Sequence, residues 1–110
     1  MDADAQIALS AALDRMWAVH LPELQGRVDV LESAAQAFAA GPLSVDRQLA
    51  AQAAAHKLAG VLGTFGLTRG TVLARELEIM YSRQDDRKSD AAERLNAIAA
   101  ELRSIVSTRK

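Results

Sequence analysis

The sequence predicts an all-α fold, an antiparallel up-down four-helix bundle with an N-terminal helical extension. Three observations carry this expectation. Alanine is abundant while aromatics make up 4% of the chain and prolines number two, a balance that suits closely packed helices better than a sandwich or barrel. Apolar residues recur at intervals of three and four, the helical spacing. No segment alternates apolar and polar residues as a half-buried strand would. The 110 residues, half of them apolar and a quarter charged, fit one folded domain over residues 1–110.

The elements follow in order. Residues 4–20 carry Leu9, Leu13 and Met16 at helical spacing. Pro22 then either opens a new helix in its first turn or kinks one long helix. Beyond it, Leu24, Val28, Leu31, Ala35 and Phe38 form an amphipathic stripe. "GPLSVD" at 41–46 ends that stripe, and Ser44 or Asp46 is placed to cap the next helix. This third block runs over residues 46–64 and stops at Gly66. Thr68 is the candidate cap for a fourth block bearing Leu73, Leu77 and Met80. "SRQDDRKSD" at 82–90 reads as a polar loop. Asp90 and Glu93 then have capping-box spacing ahead of a final helix whose buried face is Leu95, Ile98, Leu102 and Ile105.

Composition also excludes function classes. A net charge of −1 gives no global electrostatic case for nucleic acid. With no cysteine, disulfide frameworks, thiol catalysis and Cys-ligated zinc drop out together. His20 and His56 are far apart and form no HExxH pattern, so no metal of its own is expected. The acidic start "MDADAQIALS" lacks a secretory pattern, and no apolar run approaches the ~20 residues that span a bilayer. The expected location is cytoplasmic, with no membrane contact.

Within the third block, "AAAHKLAGVLGTFG" at 53–66 sets a histidine among glycines. Glycine inside a helix costs roughly 1 kcal/mol relative to alanine, so Gly60 and Gly63 call for a reason. At about 100° per residue, Ala51, Ala54, Leu58, Val61, Leu62 and Phe65 fall roughly 140° to 240° from His56. That arc faces the bundle and His56 faces solvent. Leu49, Gln52, Ala53, Ala59, Gly60 and Gly63 lie within about 60° of the histidine. On this reading both glycines sit on the outer face, keeping a low shelf for a partner protein or a phosphoryl group. His20 has no such surroundings and reads as an ordinary histidine.

At Ala55-His56-Lys57-Leu58-Ala59-Gly60, followed by "VLGTFGL" and a helix containing "LARELE" at 73–78, the chain resembles the histidine-containing phosphotransfer (HPt) domains of two-component phosphorelays. The resemblance is strong over residues 50–80 and extends over most of the chain through helix number, order and loop lengths. It implies a monomeric four-helix bundle whose exposed His56, through Nε2, accepts a phosphoryl group from a receiver-domain aspartyl phosphate and passes it to another receiver. The implied partners are response-regulator receiver domains and a sensor hybrid kinase. No cofactor is implied, and any Mg²⁺ belongs to the acidic receiver site.

The family pattern is His-x-Leu-Lys-Gly, and this chain departs from it by carrying Ala59 where the lysine stands. Lys57 is the first candidate to replace that charge, with Gly60, Gly63 and Gln52 as further phosphate- or partner-binding positions and Arg69 and Arg75 behind them. Nothing resembles an ATP-binding kinase, so a phosphohistidine carrier without kinase activity of its own is expected. The start at Met1 and the polar ends fit a free domain. The alternative reading is a phosphate-independent helical module that binds receiver or other signalling domains. An unrelated small enzyme finds no support, because no carboxylate pair or nucleophile–base spacing is present.

Overall fold

The computed structural model describes residues 2–83 and 90–109. Four helices are present: α1 (Ala3–Ala40), α2 (Val45–Thr64), α3 (Thr68–Ser82) and α4 (Ala91–Thr108). Each packs against two others in a ring, α1 on α2 and α4, α3 on α2 and α4. Side-chain pairs fix the directions. Asn96 reaches the Ala35 carbonyl while Arg109 reaches Asp14, so α4 runs against α1. Arg94 pairs with Glu76 and Arg69 with Glu101, so α4 also runs against α3. The fold is the expected all-α bundle.

Pro22 lies inside one continuous 38-residue helix, so the expected extension and first bundle helix are a single element. An internal proline costs about 3 kcal/mol. Burial on both sides outweighs that cost, since Trp17 is 4% exposed and Leu24, Val28 and Leu31 are fully buried. Each such side chain contributes roughly 1.5–3 kcal/mol. The N-terminal part of α1 runs past the core, with Ile7 and Leu9 exposed.

The core joins this stripe to Ala51, Leu58 and Leu62 of α2, Leu73 and Leu77 of α3, and Leu95, Ile98 and Leu102 of α4. Ile105 is only partly buried, and Val106 takes the last core position of α4. The surface ion pairs add little energy, about 0–1 kcal/mol each. Their contribution is register: Arg103 of α4 donates to both Asp29 and Glu32 of α1.

The helix ends match the sequence unevenly. Ser44 caps α2, its hydroxyl accepting from the Arg47 N–H at 3.2 Å. Thr68 is not a cap but the first residue of α3, and Leu67 occupies the N-cap position without a side-chain bond. Asp90 is at the N-cap of α4 but makes no capping bond. Its backbone is helical (φ −93°, ψ −7°), whereas a capping side chain reaches back from an extended backbone. Of the polar stretch 82–90, Ser82 still belongs to α3 and residues 84–89 lie outside the described residues.

Glycine positions give a stability test. A Cβ at Gly60 meets nothing within 4 Å, whereas one at Gly70 would lie 2.7 Å from Cδ1 of the fully buried Leu62. Gly60→Ala is expected to gain up to about 1 kcal/mol from helix propensity. Gly70→Ala is expected to fall below wild type, because crowding a packed core typically costs 1–3 kcal/mol. Urea unfolding followed by circular dichroism checks the order.

Candidate functional site

The site is built on the α2–α3 hairpin. Gly66 adopts a left-handed backbone (φ 72°), a conformation that glycine reaches without Cβ strain. The Gly66 N–H donates to the Gly63 carbonyl and the Leu67 N–H to the Leu62 carbonyl at 2.9 Å. This paired closure satisfies the last carbonyls of α2 and turns the chain straight into α3.

Small residues let the two helices approach closely. Ala55 and Ala59 of α2 are buried, and the Thr71 hydroxyl of α3 donates to the Ala59 carbonyl at 3.1 Å. This corrects the helical-wheel placement of Ala59 on the outer face. Position 59 lies in the seam because α2 is covered by two helices, which widens its buried arc beyond the one apolar stripe. Gly63 is exposed as the wheel places it, but it also borders α3. A Cβ there would lie 3.3 Å from the Thr71 Oγ1, a tight approach within the chain. Gly60 alone of the pair stands open.

His56 projects from the rim of the seam with 73% of its side chain exposed. Its Nδ1 lies 2.8 Å from Oε2 of Glu78 on α3. A carboxylate can only accept, so in the neutral ring this contact calls for the proton on Nδ1, which leaves Nε2 with its lone pair. The Glu78 side chain is the more buried of the two, at 30% exposed.

His56, Ala59, Gly60, Arg75, Glu78 and Ile79 line a cleft of about 300 Å³. Lys57, Gln52 and Gly63 do not line it, although Lys57 is exposed on the neighbouring surface. Arg69 points elsewhere, donating to both carboxylate oxygens of Glu101 on α4. Glu101 holds the Arg69 guanidinium above its usual range, and Arg69 holds the Glu101 carboxyl below its own. His20 is a half-exposed residue 3.9 Å from Glu23. Among the described residues no cluster of three metal-ligating side chains occurs, and no helix is long and apolar enough to cross a membrane.

This arrangement suits a nucleophile. One ring nitrogen is tied down, the other is bare, and the floor beside it has no side chain at Gly60. A sequence profile of the Hpt domain matches residues 15–108. The chain belongs to the Hpt family. Its sequence is also similar to Protein RcaC of Microchaete diplosiphon, 36% identical over 75 residues. That match takes in 68% of this chain but 12% of the relative's length. No solved structure gives a significant match. Family membership supports a phosphorelay role in two-component signalling, where Hpt domains partner receiver domains.

Glu78 and Thr71 are the site residues that sequence reasoning missed. Both belong to α3, and a wheel drawn on α2 alone cannot register them. A signal was present nonetheless. Reflecting the hairpin about Gly66 sets His56 opposite Glu76, within one turn of Glu78.

The hydrogen bond predicts a tautomer. Nitrogen NMR of the imidazole at pH 8 is expected to show the proton on Nδ1 in the wild type. In Glu78→Ala the signals are expected to move toward the Nε2–H form or an exchanging mixture.

Proposed function

We propose that this Hpt domain is a phosphorelay intermediate that accepts a phosphoryl group on Nε2 of His56 from a receiver aspartyl phosphate and passes it to a second receiver. The observation that supports this reading is the His56–Glu78 hydrogen bond beside the open position of Gly60. Neutral imidazole attacks through the Nε2 lone pair, a P–N bond forms, and the aspartyl P–O bond breaks with its electrons leaving on the carboxylate. No proton has to move. The ring keeps its Nδ1 proton and becomes cationic, and the Glu78 carboxylate offsets that charge. Return transfer reverses each change, which is what a relay requires.

Leu49, Val72 and Ile79 are each more than half exposed. They give the surface around the imidazole apolar area for a receiver to cover. His56 sits in mid-helix, so the α2 dipole gives the new phosphate little help, and stabilisation falls to side chains and partner.

A phosphorylated receiver domain incubated with the protein is expected to leave acid-labile, alkali-stable phosphate on the wild type and none on His56→Gln. Gly60→Phe is expected to keep its helicity and lose at least about tenfold in transfer rate, since a ring there fills the docking floor. Binding without label across a panel of receivers would instead favour the phosphate-independent interaction module.

A further inference from the structure

The cleft has an electrostatic problem that its α2 residues do not solve. A phosphoryl dianion on Nε2 of His56 lies close to the Glu78 carboxylate, and the ring carries one compensating positive charge. From α2 the cleft is lined by His56, Ala59 and Gly60, none of which brings a permanent cation. The opposite wall does bring one, because Arg75 lies on α3 one turn before Glu78 and lines the same cleft.

We propose that Arg75 is the phosphoryl-binding cation of this domain, supplying from α3 the charge that α2 lacks. The inference rests on His56 being the phosphoacceptor. Several arginines are already committed to carboxylates: Arg27 to Glu23, Arg69 to Glu101, Arg94 to Glu76, and Arg103 to Asp29 and Glu32. Arg75 is exposed, and among the described residues no carboxylate lies within ion-pair distance of it. Its guanidinium is therefore available. The planar fork of donors matches phosphate oxygens bidentately, and its charge persists at any working pH. Lys57 is the rival, but its place outside the cleft gives it a point charge on a flexible stem with no wall to orient it.

Phosphoramidate, a small histidine phosphodonor, tests this without involving receiver docking. Wild type, Arg75→Gln, Arg75→Lys and Lys57→Ala are phosphorylated side by side and followed by phosphorus NMR. Arg75→Gln is expected to accept phosphate roughly ten- to a hundredfold more slowly, the usual effect of losing a hydrogen bond to a charged group. Its phosphoryl resonance is expected to titrate at higher pH than in wild type, because a nearby cation favours the dianion. Arg75→Lys should recover part of both effects, and Lys57→Ala should behave as wild type. Labelled Arg75→Gln with wild-type rate and titration would overturn the role of Arg75 while leaving His56 standing, as would finding both losses in Lys57→Ala. A wild type that takes no phosphate on His56 would overturn both readings together.

Discussion

The close approach of α2 and α3 is the constraint on which the site depends. Ala55, Ala59 and Gly63 leave no side chain long enough to hold the helices apart, and the bond from Thr71 to the Ala59 carbonyl joins the two backbones. Only at that separation does a carboxylate on α3 reach a histidine on α2 at 2.8 Å. Bulk at position 63 would press on Thr71 and open the seam from its end. The same closeness leaves a shallow cleft rather than a deep pocket, which suits chemistry done with a group still attached to another protein.

Much of the bundle was legible in the sequence because its stripes are regular. Leu24, Val28, Leu31 and Ala35 in α1 and Leu95, Ile98 and Leu102 in α4 are buried as their spacing indicates. The exposure of His56 followed from the same geometry, and Gly66 lies just past the end of α2 as expected, with a left-handed backbone. Alanine was the weak point. Ala55 and Ala59 are as compatible with surface as with core, and only the second neighbouring helix decides that they are buried. Capping failed for a different reason. Thr68 and Asp90 have suitable side chains, but the backbone entering α3 and α4 does not present them to the free N–H groups.

The site divides in the same way. The proposed nucleophile, His56, and the open position of Gly60 lie on one helix and could be found by counting. The carboxylate bonded to that imidazole and the arginine that shares its cleft lie on another, and they come together only through the hairpin turn. Ala59, where the resemblance leads one to expect a lysine, weakens the case for phosphotransfer when α2 is taken alone. With α3 in place the cleft still has a cation. A folded bundle could retain its shape without any of this. The joint presence of an exposed imidazole, a carboxylate bonded to it, an open floor and a guanidinium without an ion pair among the described residues is what a passive interaction surface would not need.

On the proposed reading Glu78, by holding Nδ1, directs phosphoryl transfer to Nε2. Its most direct test is phosphorus NMR of the phosphorylated wild-type protein with nitrogen-labelled histidine, reading which ring nitrogen couples to phosphorus. Coupling to Nε2 of His56, with the proton retained on Nδ1, is the predicted result. Phosphate on Nδ1, or on any residue other than His56, would contradict it.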